Sequence, residues 1–425
     1  MAESLGILTF YGTAVSNIIS GEVRSMYVMG DYLYVIVGDT LYKIDRSLNR
    51  SFIGALDTSQ GKAWIVGDGT NIATVDGHSG YCYKGTTWAK IDFPDNFRPS
   101  SLTFQDGYFI VSRKNMGRFY ISTLYEPAAW DALDYATAEG QPDNLQCIYS
   151  HNRDLWLLGE QSTEIWYNSG AAAFPFERYQ GGSITVGCKA PRSLGHSDEQ
   201  LFWLDNDLRV RMGIGVQSEI ISTPQIEYQI AQLSDFDNAV GFYYCQEGHG
   251  FYQLTIADET FCFDVSTGYW HKRASGTADH RHPAQCYAWY DNKHLVGHYN
   301  NGKILEFDYD TYTNNGETFR AIRSAQVIHH DRKRVFHNRF EVEFEAGVGN
   351  TDCLEPEAVL DWSDDEGHTF GTDYTADIGS AGAYTTRAIW RRLGNARARV
   401  YRVIIDDPVK RVIIGAHLEA IGSKS

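Results

Sequence analysis

The sequence predicts an all-β protein, with a β-propeller of six or seven blades over residues 1–325 and a C-terminal β-sandwich over residues 326–425. Three observations support this fold class. A hairpin unit recurs along most of the chain, helix signals are almost absent, and the repeat ends near Ala325. The composition, 43% hydrophobic and 14% aromatic, is typical of a folded chain with a large core.

The repeated unit is an apolar strand, a short turn rich in Gly, Asn and Asp, and a second strand. Copies begin at Tyr32, Asn71, Gly107, Asp154, Gln200, Gly250 and Lys293. A hairpin that recurs every ~40–50 residues is typical of propeller blades. The first strand of several copies, as in "YVIV" and "LWLL", is apolar on both faces, which favours a strand buried between neighbours. The seven hairpins favour seven blades. Six blades remain an alternative, because one hairpin could belong to a connection.

One segment, "TPQIEYQIAQLSDF", predicts a helix within this β region. Thr223 can cap it, Pro224 suits its first position, and Ile226, Ile230 and Leu233 follow one face.

The C-terminal segment changes to short alternating strands. In "NRFEVEFEAGVG", apolar Phe340, Val342 and Phe344 alternate with Glu341, Glu343 and Glu345. Such alternation predicts one buried and one solvated face. "VYRVIIDDPVKRVIIGAHLEAI" adds two strands, so a small β-sandwich is expected.

The stretch "WSDDEGHTF" fits the Asp-box pattern of β-propeller proteins and sialidases. Its defining residues are Ser363, Asp365, Gly367, Thr369 and Phe370. Asp365 can accept backbone N–H groups across a bend and Gly367 can adopt a positive φ, so the motif predicts a structural turn with no catalytic role.

The composition argues against several classes of function. A formal charge of −17 argues against a surface built to grip nucleic acid. No apolar run is long enough for a membrane-spanning segment, and the N-terminus predicts no secretion signal. The seven cysteines are scattered without a CxxC pair, which favours buried thiols in a reducing compartment.

We predict no catalytic residues, no cofactor and no metal site. His280, His282 and Cys286 in "DHRHPAQC" are the nearest approach to a metal cluster, but no fourth ligand follows and solvated loop histidines are favoured. Glu164 could serve a propeller glycosidase, which would need a second carboxylate that the sequence does not identify.

The segment "RAIWRRLGNARARVYR" reverses the charge of the chain locally. It contains the arginines of a predicted interface, Arg387, Arg391, Arg392, Arg397, Arg399 and Arg402. We favour contact with an acidic surface of this protein or a partner. Solvated arginines and contact with nucleic acid are the second and third alternatives.

Several segments in one order resemble the packaged-DNA stabilisation proteins of short-tailed bacteriophages, also called tail hub or nozzle proteins. They are "EGQPDNLQCI", "LWLLGEQSTEIWYNSG", "FPFERYQGG", "VGCKAPRSL" and "DEQLFWLDND". "LDWSDDEGHTFG" and "TTRAIWRRLGNARARVYRVIIDDPVK" resemble the closing domain of that family. Members of the family usually carry further residues before the position where this sequence begins.

The resemblance implies a structural virion protein of the tail, assembled in the host cytoplasm. It implies a homohexameric ring that binds below the portal-adaptor, closes and extends the DNA channel, retains packaged DNA and lets it pass at ejection. The implied partners are the adaptor, the tail needle or plug, and tailspikes or fibres. Double-stranded DNA would pass without specific binding. A propeller glycosidase or a carbohydrate-binding tail protein is the alternative, and a propeller scaffold outside any virus is a further one.

Overall fold

The computed structural model describes residues 4–8, 21–276, 280–314, 316–331 and 333–423. The chain divides into two units. The larger unit, called the propeller unit here, comprises Ile7–Arg273 and Arg281–Glu306. The smaller one, the sandwich unit, comprises Met1–Gly6, Ala274–His280 and Phe307–Ser425. The start of the chain at residues 9–20 lies outside the described residues.

Seven sheets form the propeller. In six of them all the strands are neighbours in sequence, and in the seventh a strand from the start of the chain joins three consecutive strands from the end of the repeat region. The first sheet contains β2 (Val23–Met29), β3 (Tyr32–Val37), β4 (Thr40–Ile44) and β5 (Arg50–Ala55). The second contains β6 (Trp64–Gly67), β7 (Ile72–Val75), β8 (Gly80–Lys84) and β9 (Thr87–Ile91). The third contains β10 (Pro99–Gln105), β11 (Tyr108–Arg113), β12 (Arg118–Thr123) and β13 (Glu126–Thr137).

The next three sheets continue this order. The fourth sheet contains β14 (Leu145–His151), β15 (Asp154–Gly159), β16 (Thr163–Asn168) and β17 (Phe176–Ile184). The fifth contains β18 (Gly195–His196), β19 (Leu201–Leu204), β20 (Val210–Ile214) and β21 (Gln217–Ile220). The sixth contains β22 (Val240–Gln246), β23 (His249–Ile256), β24 (Glu259–Asp264), β25 (Tyr269–Ser275) and β26 (His280–Arg281). The seventh sheet has the order β1 (Ser4–Leu8), β29 (Ile304–Asp308), β28 (Lys293–His298) and β27 (Ala284–Tyr290).

Each predicted hairpin forms the second and third strands of one sheet. The structure therefore has seven blades, as the seven hairpins favoured. The second strands β3, β15 and β23 are buried along nearly their whole length, as their two-sided apolar sequences predict. The sequence did not identify the first strands, which contact one another in succession. Contacts join β2 to β6, β6 to β10, β10 to β14, β18 to β22, β22 to β27 and β27 back to β2.

Polar side chains connect neighbouring first strands. Ser101 Oγ accepts the backbone N–H of Ile148 at 2.9 Å, and Thr103 Oγ1 accepts that of Ser150 at 3.0 Å. Both side chains are almost fully buried, so these bonds satisfy groups that water cannot reach. Aromatic rings fill the space between sheets. One example is Phe202, which stacks on Tyr252 with centroids 5.0 Å apart.

The predicted helix is present as α1 (Pro224–Ala231). Thr223 Oγ1 accepts the N–H of Ile226 at 3.4 Å, and Ile226 and Ile230 are the buried residues of the helix. Three short 3₁₀ turns are found elsewhere in the described residues, at Pro94–Asn96, Pro191–Ser193 and Phe236–Asn238. Across the described ranges, no helix has the length and apolar character needed to cross a membrane.

The sandwich unit has two sheets. One contains β30 (Ala321–Ser324), β31 (Ile328–His329), β33 (Glu357–Ser363), β34 (Gly371–Asp377) and β37 (Ala398–Ile405). The other contains β32 (Val335–Phe344), β35 (Ala388–Arg391), β36 (Asn395–Ala396) and β38 (Ile413–Gly422). Phe340 from the second sheet stacks on Tyr401 from the first, with centroids 4.5 Å apart.

The predicted alternation on β32 holds for its apolar face, since Phe340, Val342 and Phe344 are buried. On the polar face Glu343 is exposed, whereas Glu341 is only 8% exposed. The strand β30 pairs with β37, although the predicted domain boundary falls after it, at residues 325 and 326.

Candidate functional site

The Asp-box forms a hydrogen-bonded turn between β33 and β34. Asp365 Oδ1 accepts the Thr369 N–H at 2.8 Å and Asp365 Oδ2 accepts the Thr369 hydroxyl at 2.6 Å. Ser363 Oγ accepts the Gly367 N–H at 2.8 Å and donates to Asp365 Oδ1 at 2.6 Å. Gly367 has a φ of +100°, a conformation that favours glycine.

The acidity of Asp365 follows from these bonds. The hydroxyls of Ser363 and Thr369 donate to its carboxylate and hold its pKa well below the usual value. A carboxylate whose oxygens are occupied in this way is a structural acceptor and has no proton to give near neutral pH.

Two of the six predicted arginines are used inside the sandwich unit. Arg399 is 2% exposed and forms a fork on Asp364, with N···O distances of 2.6 and 2.8 Å. Arg402 forms a second fork on Asp361, its direct partner across the β33–β37 ladder. Its guanidinium lies 3.9 Å from the Phe370 ring centroid, so it covers the aromatic residue of the Asp-box.

The other four arginines are exposed: Arg387, Arg391, Arg392 and Arg397. Arg387 reaches Glu341 at 3.4 Å, whereas the guanidinium groups of Arg391 and Arg392 meet no carboxylate among the described residues. Asp361 and Asp364 therefore divide the six arginines into two groups. They neutralise Arg402 and Arg399, and the other four arginines stay at the surface. The sequence analysis missed both aspartates, although they flank the Asp-box serine.

Glu341 shows how positive the outer face of β32 is. It is nearly buried and accepts from both Arg339 and Arg387. Arg339 lies opposite Arg391 on one side in the ladder and opposite Glu419 on the other. Two arginines thus share the shielded carboxylate of Glu341, and Arg391 lies beside them in the ladder without a carboxylate among the described residues.

The remaining candidates have structural surroundings. Glu164 is 2% exposed and accepts from Gly140 N–H, from Trp166 Nε1 at 2.8 Å and from Arg178 Nη1 at 3.3 Å. Its carboxylate is therefore fully engaged, and no second carboxylate is among the partners described for it.

The expectation of solvated histidines was wrong for His282. It is 2% exposed, and its Nδ1 lies 3.4 Å from Gln253 Nε2 and accepts the N–H of Ala284. It follows β26 directly and turns into the sheet, whereas His280 is exposed. Burial raises the pKa of Cys286 to about 12, which disfavours a thiolate ligand. Within the described ranges no cluster of three or more His, Cys, Asp or Glu residues is arranged to hold a metal ion.

The thiols match the expectation of buried cysteines with one exception. Cys82, Cys147, Cys188 and Cys262 are buried and Cys286 and Cys353 are partly so, but Cys245 is exposed on β22. All seven are free.

Family models match both units of the chain. One described as "Bacteriophage P22 Gp10, beta-propeller" matches residues 3–312, and one described as "Bacteriophage P22 Gp10, beta-sandwich" matches residues 320–420. The chain belongs to the bacteriophage P22 Gp10 family. Membership in the Gp10 family makes it a structural protein of the phage tail, with a role in stabilising packaged DNA. The predicted fold class, a β-propeller followed by a β-sandwich, is confirmed.

Solved structures resemble the chain at low sequence identity. The extracellular domain of the hybrid two component system BT4673 from B. thetaiotaomicron aligns over 82% of this chain and 47% of its own, at 9% identity and a TM-score of 0.50. The designed protein Ika8 aligns over 68% of this chain and 96% of its own, at 8% identity and a TM-score of 0.44. The Neurospora crassa Pan2 WD40 domain aligns over 68% and 89%, at 7% identity and a TM-score of 0.44.

This chain spans about half the length (47%) of the BT4673 domain, and that likeness shows the fold alone. Among curated protein sequences, none matches the chain.

Proposed function

We propose that this chain is the hub, or nozzle, of a short phage tail. It binds below the portal-adaptor, closes and extends the DNA channel, retains packaged DNA and lets it pass at ejection. The observation that carries this proposal is the match of both family models, in order, to the two units. A homohexameric ring, contacts with a needle or plug and with tailspikes, and assembly in the host cytoplasm are parts of the same proposal.

The acidic charge suits a conduit. A formal charge of −17 per chain, multiplied in a ring, would repel phosphates and let DNA slide without specific binding.

Exposed arginines support an interface on the sandwich unit. In so acidic a chain, Arg391 and Arg392 have no carboxylate partner among the described residues, and arginine is enriched in protein interfaces. An acidic surface of a neighbouring copy or of the adaptor would supply the missing carboxylates.

An edge strand adjoins this surface. Among the described strands β38 pairs with β32 alone, so its other edge has free backbone groups that can pair with another chain. Apolar side chains on it are exposed, with Ile414 at 63% and Ile421 at 60%. Ile421 lies opposite Phe336, which is 45% exposed. An apolar centre beside arginines has the composition of a protein interface.

The direct test of the hub is to block expression during infection and measure the DNA in purified heads. We expect heads that fill normally, then lose their DNA and lack the distal tail. Full, stable heads with complete tails would contradict the hub.

The interface is tested by complementing that block with Arg391→Glu plus Arg392→Glu. We expect incorporation into particles to fall at least about tenfold, because like charges would face each other across the contact. The control is Arg46→Glu plus Arg153→Glu, which makes the same charge change at side chains that are 65% and 84% exposed. Equal incorporation of the two double variants, both folded, would remove the arginine interface.

A carbohydrate-binding role is the second candidate, supported by one cavity of the propeller unit. The cavity holds about 630 Å³, and its wall includes Tyr243, Tyr244, Tyr287 and Trp289 together with Asp198 and Glu199. Aromatic platforms beside carboxylates are expected in a glycan site. Binding to a glycan array that is lost in Trp289→Ala, or hydrolysis of a sialoside, would favour this candidate. Neither would be seen with a hub alone.

A further inference from the structure

A second cavity of the propeller unit, called the arginine cavity here, has a different character. It holds about 610 Å³ and is lined by Gly21, Glu22, Ser59, Gln60, Gly61, Arg192, Asn238, Tyr299 and Asn300. Its lining comes from loops at the start of β2, before β6 and after β28 and from the 3₁₀ turns at Pro191–Ser193 and Phe236–Asn238. No aromatic platform other than Tyr299 lines it.

The loop of residues 58–61 is held rigidly at this cavity. Arg24 is 1% exposed and donates to the carbonyls of Thr58, Gln60 and Gly61. Because the Arg24 guanidinium donates to these carbonyls, it shapes the wall of the cavity and is not available to a ligand.

Arg192 is partly neutralised. Its Nη2 donates to Glu22 Oε2 at 2.9 Å, and both side chains are largely buried, at 12% and 13% exposed. Burial opposes the ionisation of Glu22, but Arg192 and hydrogen bonds from Gln285 and Gly61 outweigh it and lower its pKa. The buried Nε of Arg192 has no hydrogen-bond partner in the described structure.

Arg281 adds a second guanidinium, for which no ion pair with a carboxylate is found in the described part of the chain. It lies over the ring of Tyr299, one of the lining residues, 4.3 Å from the ring centroid. Its Nε and Nη2 are buried and meet no acceptor in the described part of the chain. Burial lowers the pKa of Arg281, and the charge of Arg192 adds to the decrease.

Lys62 contributes further positive charge beside the loop. Its ammonium lies 4.7 Å from the Trp64 ring centroid and has no carboxylate partner among the described residues. Burial, with Arg192 nearby, lowers its pKa to about 8. Buried N–H donors without acceptors and a charge without a carboxylate, as found among the described residues, are costly because each such group loses its hydration on folding.

We propose that the arginine cavity binds an oxyanion, a phosphate or carboxylate group, whose charge is neutralised by the guanidinium groups of Arg192, which lines the cavity, and of Arg281, which lies over the lining residue Tyr299. Guanidinium N–H groups in adjacent positions suit two oxygens of one such group. Glu22 keeps Arg192 in place and the loop of residues 58–61 closes one wall. This binding is independent of the hub role, so either can fail alone.

The test titrates the purified full-length protein with inorganic phosphate and, separately, with acetate at constant ionic strength, by calorimetry. We expect saturable binding of at least one anion below about 10 mM, with a matching rise in Tm. Preference for phosphate would assign a tetrahedral anion, and preference for acetate a carboxylate. Absence of saturable binding by both would overturn the proposal.

Arg281→Gln supplies the decisive variant, with Arg153→Gln as a control that removes the same charge from an exposed side chain. We expect Arg281→Gln to weaken the anion at least about tenfold and the control to stay within roughly twofold. In anion-free buffer Arg281→Gln should also raise Tm, because it removes an unpaired buried charge. A purely structural Arg281 would lower Tm instead. Unchanged affinity in Arg281→Gln would contradict the site.

Discussion

Both units bury an arginine, but they hold it differently. In the propeller unit Arg24 makes five hydrogen bonds, four of them to backbone carbonyls of Gly38, Thr58, Gln60 and Gly61. In the sandwich unit Arg399 pairs with the carboxylate of Asp364, which is 46% exposed. The first arginine organises a loop and the second neutralises a surface acid.

The comparison separates structural arginines from those available to a ligand or partner. Arg24 and Arg399 use their donors within the fold. Within the described ranges, by contrast, buried donors of Arg281 have no acceptor and the exposed guanidinium of Arg391 has no carboxylate. Removing an arginine of the first kind should destabilise the protein, and removing one of the second kind should change binding without destabilising it.

The largest loss of stability is expected for Arg24→Met. It leaves four buried or partly buried carbonyls without a donor, which should cost at least about 3 kcal/mol. The check is urea unfolding together with hydrogen exchange of residues 58–61, which should lose protection. The control Arg46→Met removes an exposed ion pair and should change stability by less than about 0.5 kcal/mol. Similar stability of the two variants would contradict the assigned role of Arg24.

A smaller loss is expected for Arg399→Met, about 2 kcal/mol. Water can solvate the half-exposed Asp364 once the arginine is gone, but the carbonyl of Leu393 loses its donor and the rings of Trp362 and Tyr401 lose a contact. Thermal unfolding measures the effect, and Arg391→Met is the control at an exposed position of the same unit. A loss equal to that of Arg24→Met would show that the carboxylate and carbonyl modes of burial are energetically alike.

The two units can also be compared through a buried histidine in each. Burial lowers the pKa of His298 in the propeller unit and of His337 in the sandwich unit to about 4. Both are then neutral in the folded protein, while the unfolded chain takes up protons below about pH 6.5. The stability that they contribute is complete above that pH and is lost as the pH falls towards 4.

Variants at these positions test the direction of this pH dependence of stability. We expect the fall of Tm between about pH 6.5 and pH 4.5 to be shallower in His337→Phe and in His298→Gln than in the unsubstituted protein. The exposed His368→Gln is the control and should leave the slope unchanged. A steeper slope in either variant would mean that the histidine is charged in the folded state.

Local patterns in the sequence were sufficient for much of the fold. The hairpins, the helix at Pro224–Ala231 and the alternation of Phe340, Val342 and Phe344 depend on neighbours in sequence. The first strands were missed because their burial comes from other sheets and includes polar residues such as Ser101. The boundary at residue 325 stays a prediction.

The candidate sites also divide into those formed by neighbours in sequence and those formed by distant residues. The Asp-box is a local pattern, and its turn could be described from the sequence. The arginine cavity could not be predicted, because Glu22 and Arg192 are separated by 170 residues and meet only through the ring of sheets. The arginine-rich segment was visible, but which of its members are exposed depends on Asp361 and Asp364 on another strand.

The smallest effect is expected for Asp365→Ala, which tests whether the exposed turn belongs with the structural or the functional residues. The Asp365 side chain accepts three hydrogen bonds from the turn, but it is exposed, so water can replace it at the two donors of Thr369. Tm should fall by no more than a few degrees, and the folded protein should enter particles as the unsubstituted protein does. Asp365→Asn keeps the size of the side chain and should lose less. A folded Asp365→Ala protein that fails to enter particles would place the turn at a partner contact, beside Arg391 and Arg392 in function.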